Sequence, residues 1–143
     1  MRESSREYSA TGKCIILDTT AMLAGIQNVI PPPLYTTSKA VEEVRDTENR
    51  EKLKIAIETG RINVKDPGEN KIRETTRLAG KYKVKEKLSH TDISIAALAL
   101  ELEDKCTPIV FTDDYTLQYL LTKIGVQFKP LRTKGIKTKQ QSK

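Results

Sequence analysis

The segment CIILDTT, residues 14–20, decides the fold. Four apolar residues over 14–17, followed at once by an acid, are typical of a buried strand in a parallel sheet. The two threonines after the acid, Thr19 and Thr20, are predicted N-caps of a short helix, and Gly25 is predicted to end that helix. The sequence therefore predicts a strand that leads directly into a helix.

The same pattern recurs in PIVFTDD at 108–114, which predicts a second buried strand followed by a helix. The segment NVIPPPLYTT at 28–37 is expected to be a loop, because three consecutive prolines forbid a helix interior. Pro130 cannot donate to a ladder, so we place the last strand at an edge of the sheet. Apolar spacing predicts the remaining elements, which are helices over 38–46, 48–60, 69–81, 92–104 and 115–124, and strands over 61–67, 108–111 and 126–131.

Strands that alternate with helices predict an α/β fold, namely a three-layer α/β/α sandwich around a mainly parallel sheet. We place this domain at 13–131, between a flexible N-terminal arm over 1–12 and a basic, disordered tail over 132–143. The chain has 143 residues, of which 37% are hydrophobic and 31% charged, so it can bury one core. It lacks an apolar run of about 20 residues, and no membrane partner is expected.

The net charge of +6 is unevenly distributed along the chain. Residues 1–128 hold 19 basic and 19 acidic side chains, whereas 129–143 hold six basic side chains and no acid. Residues 61–87 sum to +5 and residues 88–128 to −4. Basic segments beside an acidic one suit a polyanionic partner, although a tail that only confers solubility has the same composition.

Cysteine and histidine usage argues against a zinc site. Cys14 and Cys106 have no CxxC spacing, and we interpret both as unpaired buried thiols. Unpaired thiols suit a reducing compartment, so a cytoplasmic location is expected. His90 is the only histidine of the chain, which excludes a metal site with several histidines.

Acids follow both buried strands. Asp18 ends the first, Asp113 and Asp114 follow the second, and Asp92 opens the buried helix. Neighbouring parallel strands end at one edge of the sheet, where ligands of such sheets bind. For each acid alone, helix capping is the stronger explanation. Together they would repel one another unless a cation neutralised them, and Mg²⁺ or Mn²⁺ suits oxygen ligands.

Glu43 is the predicted fourth acid of this cluster. On the helix that contains it, Ala40, Val41 and Val44 mark the inward direction. Glu43 lies roughly 105° from that direction and Glu42 roughly 155°. Glu43 can therefore flank the core and reach a cleft, whereas Glu42 faces solvent. A solvated helix face is the alternative for Glu43.

Four motifs together resemble those of PIN-domain nucleases: CIILDTT, VEEVRD (41–46), LSHTDISIAALALEL (88–102) and IVFTDDY (109–115). The similarity covers about 13–131. It is greatest to the archaeal and eukaryotic branch that matures the 3′ end of small-subunit ribosomal RNA, in which the third motif reads much like LS-x-TD-IS and the fourth much like TDDY. Members of that branch usually carry a zinc ribbon after the PIN domain, and this chain has none.

The resemblance implies a metal-dependent RNA endonuclease with a centre of four acids. Asp114 fits the family pattern Thr-x-Asp best, and Asp113 is an additional or alternative ligand. The implied ions are one or two Mg²⁺ or Mn²⁺, without zinc. The implied residues are Asp18, Glu43, Asp92 and Asp114 as catalytic residues, Asp18, Asp92, Asp113 and Asp114 as metal ligands, and Thr20 and Thr112 as supporting hydroxyls.

Our hypothesis is hydrolysis of an RNA phosphodiester by water that the metal ions activate, with Glu43 orienting that water. An acidic cleft cannot attract RNA unaided, so basic side chains must hold the backbone. The candidates lie in the connector after the third long helix and in the C-terminal segment: Lys81, Lys83, Lys85, Lys87, Lys129, Arg132, Lys134 and Lys137.

The resemblance also implies the partners. The expected substrate is a small-subunit rRNA precursor or a pre-ribosomal particle, and a homodimer or a partner chain that supplies a zinc ribbon or an antitoxin is left open. Two other functions remain open as well. One is the toxin ribonuclease of a toxin–antitoxin pair, and the other is an inactive PIN-like scaffold that binds RNA.

Overall fold

In the computed structural model, which describes residues 12–131, five strands form one sheet whose neighbouring strands all run parallel. The strands are Lys13–Leu17 (β1), Leu34–Thr36 (β2), Ile62–Val64 (β3), Thr107–Phe111 (β4) and Gln127–Lys129 (β5). Their order across the sheet is β3-β2-β1-β4-β5, so β1 is central and β5 lies at an edge. The predicted mainly parallel sheet and the predicted last edge strand are confirmed.

Helices connect these strands. Within the same residues they are Thr19–Leu23 (α1), Ser38–Glu42 (α2), Thr47–Glu58 (α3), Glu69–Lys81 (α4), His90–Leu102 (α5) and Tyr115–Lys123 (α6). Single turns of 3₁₀ helix occur at Ile26–Asn28 and Lys85–Lys87. Helix α5 contacts β1, β4, α2, α4 and α6. These contacts explain why it is apolar almost all round, as the sequence indicates.

Helices cover both faces of the sheet, which gives the three layers of the predicted α/β/α sandwich. Ile16 and Leu17 are adjacent on β1 and therefore point to opposite faces, yet neither is exposed to solvent. Ile109 and Val110 are buried in the same way on β4. A strand that is buried on both faces is apolar throughout, which is the pattern seen in the sequence.

The expectation of a loop over 28–37 is wrong at its end, where Leu34–Thr36 forms β2. The prolines exclude a helix, as expected, but they stop at Pro33 and leave three residues free to pair. Leu34 pairs with Ile15 of β1 on one side and with Ile62 of β3 on the other. Three residues are too few for a period-2 pattern to stand out beside prolines.

The predicted helix over 38–46 is also too long, because α2 ends at Glu42. A new helix begins at Thr47, and the side chain of Asp46 caps it by accepting the backbone N–H of Asn49. The intervening residues turn the chain, while Val44 still lies in the core. The capping acid at the end of the predicted helix therefore belongs to the start of the next helix.

The prediction of two unpaired thiols is wrong, because Cys14 and Cys106 form a disulfide. Cys14 lies on β1 opposite Pro108 of β4, and Cys106 directly precedes β4. The Cα atoms of the two cysteines are 5.9 Å apart, although 92 positions separate them in the sequence. The cytoplasmic location stays a prediction, now without the support of unpaired thiols.

Several predictions concern residues outside the described range of 12–131. These are most of the N-terminal arm and the whole basic tail, with Arg132, Lys134 and Lys137. Among the helices inside that range, none is both long and apolar enough to cross a membrane.

The disulfide should stabilise the fold measurably. Closing a loop of this length restricts the unfolded chain, so replacing Cys106 by Ser should lower the free energy of unfolding by about 4 kcal/mol. Chemical denaturation of wild type and of Cys106→Ser, each with and without reductant, measures the effect. Reductant should destabilise the wild type and leave the variant unchanged. Two reactive thiols in the denatured, unreduced wild type would contradict the disulfide.

Candidate active site

A polar cleft of about 400 Å³ lies where β1 and β4 end. Leu17 and Phe111 face each other as the last residues of these strands, so the residues that follow them emerge side by side. Every side chain that lines the cleft is an acid or a hydroxyl, namely Asp18, Thr19, Thr20, Glu43, Ser89, Thr91, Asp92, Asp113 and Asp114. The structure thus brings all five predicted acids together, and their catalytic roles stay a prediction.

Asp18 is the most buried of the acids, with 6% of its surface exposed. Its Oδ1 accepts hydrogen bonds from the backbone N–H of Ala21 and from Oγ1 of Thr20, both at 2.8 Å. Asp18 is therefore the N-cap of α1, and the prediction of Thr19 or Thr20 as the cap is wrong. Because Asp18 directly precedes the helix, its carboxylate can accept the free backbone N–H groups of the first helical turn. Thr20 instead fixes the Asp18 carboxylate.

Burial raises the pKa of Asp18 above its ordinary value, and the nearby charge of Asp114 adds to the effect. Hydrogen bonds from Thr112, Ala21 and Thr20 oppose the increase without cancelling it. The folded protein therefore holds this carboxylate in a site that disfavours its charge. Uptake of a proton or of a cation would relieve that cost.

Asp92 is held by a capping box at the start of α5. The hydroxyl of Ser89 accepts the backbone N–H of Asp92 at 3.0 Å, and Oδ2 of Asp92 accepts the backbone N–H of Ser89 at 3.1 Å. The helix consequently begins at His90, two residues before the predicted start. Burial raises the pKa of Asp92, and the charges of Asp114 and Asp18 raise it further.

Glu43 is the C-cap of α2 rather than a residue within a longer helix. Its Oε1 accepts a hydrogen bond of 2.9 Å from Oγ1 of Thr19, which also contacts the carbonyl of Ala40 at 3.2 Å. Glu43 is exposed and lines the cleft, whereas Glu42 does not line it. The predicted difference in direction between the two glutamates agrees with the structure.

The two acids after β4 have different partners. Asp114 is the N-cap of α6, and its Oδ1 accepts the backbone N–H of Leu117 at 2.8 Å. Asp113 accepts the backbone N–H of Leu131 at 2.6 Å and so ties down the chain after β5. The buried Thr112 accepts the backbone N–H of Asp114 at 3.0 Å. The charge of Asp114 raises the pKa values of both Asp18 and Asp92. This favours Asp114 over Asp113 as the acid that acts together with them.

The donors of this cleft are carboxylate and hydroxyl oxygens, which hard divalent cations prefer. Within residues 12–131, no three His, Cys, Asp or Glu side chains lie close enough together to hold a metal ion. The chemistry of the donors is nevertheless that of sites for Mg²⁺ or Mn²⁺.

The sequence matches the family model described as "PIN domain of ribonuclease" over residues 15–102. The chain belongs to the PIN-domain ribonuclease family. The matched region contains Asp18, Glu43 and Asp92 and ends before Asp113 and Asp114.

Curated proteins similar to this PIN-domain chain extend the match. Ribonuclease VapC3 from Aeropyrum pernix is 38% identical over 137 residues, which are 94% of this chain and 99% of that protein. Endoribonuclease Nob1 from Pyrococcus abyssi is 34% identical over 123 residues, 86% of this chain and 71% of that protein. The 20S-pre-rRNA D-site endonuclease NOB1 from Saccharomyces cerevisiae is 33% identical over 108 residues, 71% of this chain and 23% of that protein. The resemblance drawn from the four motifs is confirmed.

The described basic candidates of this PIN domain all lie on its surface. Lys81 ends α4, Lys83 follows it, and Lys85 and Lys87 belong to the next 3₁₀ turn. Lys129 is exposed on the edge strand β5, opposite Phe111 of β4. Lys87 lies two positions before Ser89 of the cleft, so the connector leads directly into it.

Sequence reasoning missed three hydroxyl residues of the cleft, Thr19, Ser89 and Thr91. For Ser89 a signal exists, because Ser-x-x-Asp at 89–92 is a capping-box pattern. For Thr19 the signal is only its place beside Asp18. Nothing in the linear sequence indicates that its hydroxyl reaches Glu43, which lies 24 positions away.

Asp18→Asn should raise the melting temperature in EDTA, because Asn keeps the capping oxygen and removes a buried charge. With its pKa raised above 3.8, folded Asp18 binds protons more readily than unfolded Asp18. The charge of Asp18 therefore destabilises the folded wild type increasingly as the pH rises from the pKa of unfolded Asp18 to the higher pKa of folded Asp18. The advantage of the variant should be absent at low pH and complete above the raised pKa. Thermal unfolding at several pH values measures it.

Asp46→Asn is the matched control, since Asp46 also caps a helix but is exposed. Hydrogen bonds from the side chain and backbone of Asn49 lower the pKa of Asp46. Its stabilising effect is present above 3.8 and lost as the pH falls through the lowered pKa. This variant should therefore be less stable than wild type at neutral pH. A lower stability of Asp18→Asn at pH 7 in EDTA would contradict our interpretation of the cleft.

Proposed function

We propose that this chain is a metal-dependent endoribonuclease that cleaves a precursor of small-subunit ribosomal RNA. The observation that carries the proposal is the acidic cleft at the joined ends of β1 and β4. Two of its carboxylates, Asp18 and Asp92, have raised pKa values that burial and neighbouring acids cause. Such perturbed acids in a cleft are typical of catalytic centres.

Asp18, Asp92 and Asp114 are the residues that would hold a divalent cation, with Asp113 as a further ligand. The fit rests on oxygen donors alone and on carboxylates whose charge the fold does not neutralise. When bound, Mg²⁺ or Mn²⁺ supplies Lewis acidity and a countercharge for the phosphate. One or two ions are compatible with four aspartates.

The chain's own residues supply positioning. Thr20 and Ala21 direct the Asp18 carboxylate, and the Ser89 backbone directs that of Asp92. Glu43 lies at the exposed side of the cleft, where Thr19 holds its Oε1. The other carboxylate oxygen of Glu43 is then placed to orient a water molecule or to accept its proton.

The basic surface must bind the RNA, since an acidic cleft repels a polyanion. Lys81, Lys83, Lys85 and Lys87 lie on the connector that runs into the cleft, and Lys129 lies at the sheet edge. Lysines that neutralise phosphates make affinity fall steeply with salt. The segment beyond the described residues, 132–143, adds five positive charges.

The ribosomal target is supported by the similarity to two proteins, Nob1 of Pyrococcus abyssi and the yeast endonuclease named for the D site of 20S pre-rRNA. The LS-x-TD-IS and TDDY motifs at 88–95 and 112–115 point the same way. A pre-ribosomal particle, in the cytoplasm, is then the natural partner.

A toxin ribonuclease of a toxin–antitoxin pair is the second candidate function. The similarity to ribonuclease VapC3 favours it, because that protein is matched over 99% of its length. A toxin would be expected to arrest growth when it is expressed alone. It would also need an antitoxin partner.

Asp18→Asn and Asp92→Asn should each lower RNA cleavage in Mn²⁺ by about 100-fold or more, because even outer residues of metal sites contribute 10–100-fold. A gel assay of a labelled RNA measures cleavage, and calorimetric titration with Mn²⁺ measures metal binding. Asp46→Asn, which lies outside the cleft, should cleave like the wild type. Full activity of both cleft variants would exclude the carboxylate mechanism. RNA binding in EDTA without any cleavage in Mn²⁺ by the wild type would favour the inactive scaffold.

The ribosomal substrate predicts one dominant cut at the 3′ end of the mature small-subunit rRNA. A precursor fragment that spans this junction should be cleaved in Mn²⁺, and primer extension locates the new end. An RNA of equal length without the junction is the control, and it should remain largely intact. Equal cleavage of both RNAs, together with growth arrest on expression, would favour the toxin.

A further inference from the structure

We propose that Tyr82, Tyr115 and Tyr119 form a platform on which unpaired RNA bases stack beside the acidic cleft. This inference rests on the proposed ribonuclease function and deepens it by assigning side chains to the binding of the strand beside the point of cleavage. Three of the chain's five tyrosines gather in this one place. With Lys83 and Lys87 they line an open groove of about 360 Å³, which we call the tyrosine groove.

The exposure of these rings is unusual for large side chains. Tyr115 is 84% exposed and Tyr119 is 45% exposed, whereas Tyr35 is 2% exposed and belongs to the core. Tyr115 and Tyr119 are four residues apart on α6 and therefore lie on one side of the helix. The fold gains little from such rings, because most of the surface of Tyr115 remains in water.

Lysine ammonium groups lie over the rings of Tyr82 and Tyr119, so the exposed Tyr115 offers the most accessible ring face to a base. Nζ of Lys123 lies 5.4 Å from the centre of the Tyr119 ring and 5.9 Å from that of Tyr82. Nζ of Lys81, the last residue of α4, lies 5.4 Å from the centre of the ring of Tyr82, which follows it in the chain. Aromatic faces combined with cations are the means by which proteins bind single strands, since bases stack on the rings and phosphates pair with the lysines. An apolar protein partner would not call for these cations.

Lys83 supports this assignment through its backbone. It has a φ of 66°, a left-handed conformation that is uncommon for a residue with a Cβ atom. The N–H of Lys83 bonds to the carbonyl of Gly80 and that of Val84 to the carbonyl of Ala79, which is the Schellman ending of α4. Glycine usually occupies the position of Lys83 in that motif. Here a cation that lines the tyrosine groove occupies it.

Residues that are neighbours in the sequence line the tyrosine groove and the acidic cleft at two places along the chain. Tyr115 directly follows Asp114, and Lys87 lies two positions before Ser89, with Asp114 and Ser89 both in the cleft. A strand whose bases stack on Tyr115 therefore brings its next phosphates to the acids. A duplex cannot offer the faces of its bases to these rings, so the platform selects unpaired RNA.

Binding of a labelled 12-nucleotide single-stranded RNA, measured by fluorescence anisotropy in EDTA, tests the platform without cleavage. Tyr115→Leu should weaken this binding about tenfold, because the variant loses the ring face on which a base stacks. Tyr115→Phe keeps the ring and should bind within about twofold of the wild type. Binding of an RNA duplex of equal length should be the same for all three proteins. Equal single-strand affinity of the Leu and Phe variants would overturn the platform.

Lys83→Gly gives a second, independent readout. Glycine suits the left-handed position, so this variant should melt no lower than the wild type, yet it should bind the single strand several-fold more weakly. Photocrosslinking of RNA that contains 5-iodouridine should label the peptide with Tyr115 and Tyr119. Unchanged affinity of Lys83→Gly, or crosslinks confined to other peptides, would contradict the proposal.

The two proposals can fail separately. If the wild type binds single-stranded RNA through Tyr115 in EDTA but does not cleave it in Mn²⁺, the platform stands and the nuclease function falls. If the wild type cleaves RNA and Tyr115→Leu binds it normally, the nuclease function stands and the platform falls.

Discussion

The parallel pairing of β1 with β4 in a single register is the constraint on which both the core and the cleft depend. Five consecutive pairs run from Lys13 opposite Thr107 to Leu17 opposite Phe111. Because both strands end at the same level, the acids that follow them must share one edge of the sheet. A slip by one residue would move the cleft acids by about 3.3 Å and turn buried side chains to the other face. The apolar core therefore fixes the position of the cleft.

Helix starts hold the acids in place. Asp18 caps α1, Asp114 caps α6, and Asp92 completes the capping box of α5. From the sequence, capping and catalysis are competing explanations for each acid, but in the structure the same side chains cap helices and line the cleft. Each capping bond uses a single oxygen of its carboxylate, and the positive end of the helix offsets part of the charge. Burial of Asp18 and Asp92 outweighs this offset, so their pKa values remain raised.

The sequence predicts what depends on local pattern. The strands at 14–17 and 108–111, the buried helix and the acids at the strand ends all follow from runs of apolar residues and their immediate neighbours. It does not predict β2, because three residues next to prolines carry too little pattern. It does not predict the pairing of Cys14 with Cys106 either, since only the sheet order brings them together. The hydrogen bond from Thr19 to Glu43 cannot be predicted from the sequence either, because only the fold brings these two residues together.

The division of charge over the surface explains how an acidic centre could act on RNA at all. The cleft acids disfavour a phosphate until a cation is present, so attraction must come from adjacent elements. The connector before α5 and the exposed face of α6 carry lysines and tyrosines that line the tyrosine groove together. Lysines attract the backbone over a distance that salt limits, whereas stacking on a ring acts only at contact. A strand held in both ways would stay in place even where the acids repel it. Metal uptake and substrate placement would then depend on different residues of the same short segments, with Asp114 and Tyr115 as direct neighbours.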